Sequence, residues 1–92
     1  MPLHLRIARP VTDLAASTTL YRRGLGLEIL GSFSNHDGFD GVMLGESGAG
    51  FHFEFTRSRT HRVCPAPTPE DLVVLYVADP APWAALCVRM TA

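Results

Sequence analysis

The chain has 92 residues, 47% of them hydrophobic and 18% charged, and its 8 basic and 9 acidic side chains leave a net charge of −1. That composition describes one small, near-neutral folded unit and excludes the net basic surface on which nucleic-acid binding rests. No apolar run of the roughly 18 residues needed to cross a bilayer occurs, and MPLHLRIARP lacks the order of a signal peptide, so a cytoplasmic protein that engages no membrane is expected.

Leu3 to Ala8 is apolar with His4 and Arg6 interleaved, and the Arg9-Pro10 step closes it, which reads as a strand. A helix follows, capped by Thr12 or Asp13, with Leu14, Tyr21 and Leu25 near helical spacing. Arg22 and Arg23 suit its negative end, and Gly24 is placed to take the left-handed conformation that stops it. Leu27 to Phe33 reads as a second strand, Asn35 to Gly38 as a turn that includes His36, and Gly41 to Leu44 as a third strand. Glu46 to Gly50 turns the chain again.

Phe51 to Thr56 alternates strictly, so three phenylalanines share one face of a strand while His52, Glu54 and Thr56 share the other. The phenylalanine face should be core, and the other should line a cavity or meet water. Arginines, His61 and three prolines then break the pattern up to Pro69. The cluster of Arg57, Arg59, His61 and Arg62 reads as a solvated loop or, functionally, as an anion-binding rim at the mouth of a cavity. Leu72 to Val77 is β-branched and apolar and reads as a strand, and Asp79-Pro80 opens a last helix that runs to Met90.

All the basic residues are arginine, in keeping with GC-rich coding. Cys64 and Cys87 are too far apart for a CxxC redox or zinc motif and are expected to be free thiols.

The motifs RPVTDL (Arg9 to Leu14), LYRRGLGLEIL (Leu20 to Leu30), GVMLG (Gly41 to Gly45) and FHFEFT (Phe51 to Thr56) resemble, in order and spacing, the vicinal-oxygen-chelate superfamily. Its members include glyoxalase I, bleomycin-resistance proteins, fosfomycin-resistance thiol transferases and extradiol dioxygenases. The resemblance implies an α+β fold built from a βαβββ module over residues 1–56, an Arg/Pro-rich linker over 57–71, and the opening of a second, truncated module over 72–92. Two such modules pair in that superfamily so that their curved sheets form a cup.

The metal-using members of the superfamily draw ligands from the first and fourth strands of each module. Glu54 falls on the fourth-strand carboxylate position. On the first strand the ligand register falls nearer Arg6, with His4 two residues earlier on the same face. The second-module position falls at Leu72 and Val73, which cannot bind a metal, and its fourth-strand position falls beyond Ala92. No cofactor is therefore expected for a single chain, since a divalent ion needs about four to six N and O donors.

The resemblance also implies a homodimer, because one module alone would leave an open concave face and an unpaired sheet edge. Two function classes follow. In the first, Arg6, His52 and Glu54 anchor a small organic molecule in a phenylalanine-rich cup, as in the bleomycin-resistance proteins. In the second, His4 and Glu54 of two chains share a divalent Fe, Mn, Ni or Zn ion and the dimer is a metal-dependent lyase or dioxygenase.

Overall fold

The computed structural model of the chain describes residues 3–62 and 68–91. The elements run β1 (Leu5–Pro10), α1 (Leu14–Thr19) continued by a π turn (Leu20–Gly24), β2 (Glu28–His36), β3 (Phe39–Gly45), β4 (Phe51–Ser58) and α2 (Pro80–Thr91). The four strands form one sheet in the order β1-β4-β3-β2. β1 runs parallel to β4, and the other neighbours are antiparallel. This is the α+β, βαβββ arrangement of a glyoxalase-type module.

Alternation along β4 decides where the core lies. Phe53 is fully buried and Phe55 nearly so, and Leu44 of β3, which pairs with Phe53, completes the buried set. Tyr21 stands edge-on to both rings, with centroids 5.2 Å from Phe53 and 4.7 Å from Phe55, and Leu14 packs beside it. The first helix thus covers the phenylalanine face. Of the two cap candidates, Thr12 and Asp13, it is Asp13 that caps the helix, its carboxylate accepting from Ala16 N at 2.9 Å.

Three expectations are corrected. The helix does not end on a left-handed Gly24; the positive φ, +73°, belongs to Gly26. Gly24 is needed for another reason, because a Cβ there would lie 2.3 Å from Met90 Sδ, so its bareness lets α2 approach the π turn. Arg89 Nε fastens that contact by donating to Gly24 O at 3.2 Å.

Second, Leu72 to Val77 forms no strand. A strand needs a ladder partner, and among the described residues none pairs with this segment. It lies instead over the helix-side face, where Leu72 to Leu75 border a hollow of about 340 Å³ with Leu5, Ile7, Phe51 and Phe53. An Arg9–Asp71 ion pair at 2.8 Å holds its near end.

Third, the strand pattern does not break off at Arg57. β4 continues to Ser58, and Arg57 keeps the phase of Phe55, which places it on the helix side.

The hairpin of β2 and β3 turns through Asn35, Asp37 and Gly38, all at positive φ. Arg59 clamps it by a fork on Asp40, with Nη2 to Oδ1 at 2.8 Å, and by a bond to Ser34 Oγ at 3.0 Å. Asn35 N also donates to Asp40 Oδ1 at 2.9 Å. Cys87 is a free, half-buried thiol on α2, and Cys64 lies outside the described residues.

Phe53→Ala should cost about 3–5 kcal/mol, a large share of the stability of a domain this size, and urea unfolding followed by circular dichroism would measure it. The Arg59 hydrogen bonds, first, and that from Asn35 hold the Asp40 carboxyl at about 2. Such a depressed acid favours folding above the ordinary carboxylate range and loses that contribution as pH falls towards 2. In Arg59→Gln, the Asp40 carboxyl followed by carbon-detected NMR should titrate at a higher pH, part of the way towards the usual ~3.9, since the Asn35 bond remains.

Candidate functional site

The face opposite the helix carries all four polar residues singled out in the sequence. Arg6 lies opposite His52 in the parallel β1/β4 pair, and the small Ala8 opposite Glu54 leaves room for the Arg6 guanidinium to reach along the sheet. Arg6 Nη1 lies 3.3 Å from Glu54 Oε2, and Arg6 Nε donates to His52 Nε2 at 2.8 Å. His4 Nε2 in turn bonds His52 Nδ1, with the two rings 4.6 Å apart.

Hydrogen-bond logic orders the protons in this chain of groups. Arginine only donates, so His52 Nε2 must offer its lone pair and the ring proton must sit on Nδ1. That proton is then donated to His4 Nε2, which leaves the His4 proton on Nδ1. His52 is neutral in this arrangement, and protonating it would set its Nε2–H against the Arg6 Nε–H. His52 is only 8% exposed. Burial, then the nearby His4 and Arg6, push its pKa below the usual histidine value, with Glu54 opposing.

Beside this polar half lies an apolar one that sequence reasoning missed. Phe33 of β2 lies across Gly41 of β3, so closely that a Cβ there would meet the ring at 2.2 Å. Met43 covers Gly31, and Leu30 reaches Gly45, both across the β2/β3 pair. The signal was present in the glycines at 31, 41 and 45, since a strand glycine marks a place where something approaches closely. Phe33, Phe39, Glu54 and Thr56 border an open hollow of about 330 Å³. Glu54, half-buried, stands where the two halves meet.

The arrangement can hold a small polar molecule, because Glu54 offsets Arg6 and the buried His52 ring is neutral. It offers the donor His4 Nδ1–H, the acceptor Glu54 and the apolar wall of Phe33 and Met43. It does not fit a bound metal within one chain. His4 Nε2 is committed to His52 and Glu54 to Arg6, and among the described residues no group of three or more His, Cys, Asp or Glu side chains could hold an ion. His36 lies apart in its turn, exposed and 3.8 Å from Asp37 Oδ2.

Sequence and structure comparisons agree on one relative. The sequence profile of the YycE-like N-terminal domain matches residues 5–56. The uncharacterized protein YycE of Bacillus subtilis (strain 168) is 40% identical over 86 residues, which cover 94% of this chain and 62% of that protein. The chain therefore spans less than two thirds of this relative's length.

The crystal structure of Bacillus subtilis YycE superposes with a TM-score of 0.84 at 38% identity, over 98% of this chain and 66% of that one. That protein is of unknown function, and a glyoxalase/fosfomycin resistance role has been suggested for it. Methylmalonyl-CoA epimerase from Mycobacterium tuberculosis shares the fold at 20% identity, with a TM-score of 0.53 over 59% of this chain and 37% of its own. Among the described residues no helix is long and apolar enough to cross a membrane.

The depressed His52 pKa makes a pH prediction. Between the usual histidine value of ~6.5 and the lower folded value, the unfolded chain binds more protons, so stability falls as pH drops below about 6.5. Urea midpoints measured from pH 7.5 to pH 5 should show this decline, and His52→Gln should flatten it.

Proposed function

The chain belongs to the family of the YycE-like N-terminal domain, and from that premise we propose that it binds a small organic molecule on the open face of its sheet. The observation that supports this reading is the Arg6–His52–His4 relay joined to Glu54 on the face that no helix covers. Arg6, His52 and Glu54 are the anchors, and the Phe33 and Met43 wall takes the apolar part of the ligand. Exposed Leu30 and Phe39 on the same sheet give that part further contact. The domain plan that accompanies the reading is a first module over 1–56, a linker over 57–71 and the opening of a second module over 72–92. A second copy of the chain is the partner that would close the face into a cup, a homodimer in which the two open faces meet.

A divalent ion held by His4 and Glu54 of two copies is the competing reading, and it requires His4 to release His52 and Glu54 to release Arg6. Binding to an intact relay needs neither.

Protein isolated under native conditions should carry a co-purifying small molecule, detected by mass spectrometry after denaturation. Arg6→Ala and Glu54→Gln should deplete it about tenfold while leaving the circular dichroism unchanged. A ligand retained in full by both variants removes these anchors. Stoichiometric Fe, Mn, Ni or Zn in a dimeric preparation transfers the reading to the shared ion.

A further inference from the structure

The arginine cluster after β4 is not absorbed by the open-face site, and the arginines of the chain differ sharply. Arg59 is bound to Asp40, Arg6 to Glu54, Arg9 to Asp71, and Arg89 to the Gly24 carbonyl. Arg57 and Arg62, like Arg22 and Arg23 of the π turn, have no carboxylate partner among the described residues. Arg57 and Arg62 both border one hollow of about 540 Å³, together with Val11, Thr12, Ser58 and His61. Among the described residues no acidic side chain lines it.

Local structure holds this rim in place. Val11 N donates to Thr56 O at 2.8 Å, extending the β1/β4 ladder by one rung and setting Thr12 beside Arg57. Past the strand end, Thr60 N and His61 N both donate to Ser58 Oγ at 3.2 Å, so one hydroxyl gathers the turn. Arg59 N donates to Gly38 O at 2.8 Å, and its side chain grips Asp40, which ties the turn to the β2/β3 hairpin. A neighbouring hollow shares Thr12 and Arg57 but is bordered by Asp13 and Asp40, so the cationic side is the one beneath Arg62.

We propose that this hollow is a binding site for a tetrahedral oxyanion of phosphate size and charge, held between the guanidinium groups of Arg57 and Arg62 with the Thr12 hydroxyl as a further donor. Guanidinium forks match such an anion in two-bond geometry, and a carboxylate-free wall leaves their charge for the ligand. The site is independent of the open-face reading, because Arg57 lies on the opposite side of the sheet.

The test is a titration of the whole chain with sodium phosphate, followed by amide and arginine side-chain NMR, against sodium chloride at matched ionic strength. Phosphate should shift the signals of Thr12, Arg57 and Arg62 saturably where chloride does not. Arg57→Gln and Arg62→Gln should each weaken the isotherm about tenfold with the Phe53 and Phe55 ring signals unmoved, while Arg22→Gln leaves it unchanged. Tighter binding of methyl phosphate than of inorganic phosphate would assign the site to a phosphate monoester, and the reverse order to the free anion. Equal shifts with chloride, or an isotherm that neither arginine variant weakens, would overturn the proposal.

Discussion

The alternation of β4 at the middle of the sheet is the constraint on which everything else depends. β4 has β1 on one side and β3 on the other, so each of its residues faces either the helix or the open side. A slip of one residue would expose Phe53 and Phe55 and drive His52 and Glu54 into the core. Burial of two phenylalanines against Tyr21 and Leu44 therefore fixes the placement of the polar residues as firmly as it fixes the core. The candidate site inherits its geometry from the hydrophobic effect rather than from its own hydrogen bonds.

Glycine bareness sets the second layer of shape. At Gly41 and Gly31 the missing side chain makes room for Phe33 and Met43 to lie flat on the sheet, which turns part of a polar face into an apolar wall. At Gly24 the same bareness admits Met90 and docks α2. α2 buries none of its own residues, and Trp83 and Val88 remain largely exposed, so this contact and the Arg89 bond carry its attachment.

Elements whose signal is local were legible in the sequence. The Asp13 cap, the turn at Asn35 to Gly38 and the β4 alternation all depend on neighbours within a few residues, and all are found where the pattern puts them. The placing of His52 and Glu54 on one face was legible too, whereas the Arg6–Glu54 ion pair emerges only once β1 lies beside β4. What was not legible depended on distant contacts. Leu72 to Val77 has the composition of a strand, yet strand formation is decided by an available edge, and this segment settles on a face instead. Gly24 and Gly26 are both plausible helix stops by residue type, and the choice between them is made by a π turn that admits α2. The His4–His52 bond joins residues 48 apart and required the parallel register of β1 and β4 to be known.

The two faces of the sheet differ most in how they treat positive charge. On the open side, Arg6 is offset by Glu54 and spends its Nε on a neutral imidazole, so it acts as a fixed donor within a relay rather than as a free cation. An ionic ligand arriving there would have to compete with Glu54, which favours neutral or zwitterionic molecules. On the helix side, Asp40, which pairs with Arg57 across the strands, is saturated by Arg59, Asn35 and Ser34, and Asp13 is taken up in capping the first helix. The net charge of −1 for the whole chain conceals this division. Because the sheet separates the two environments, β4 presents a neutral polar site on one face and an unneutralised basic one on the other.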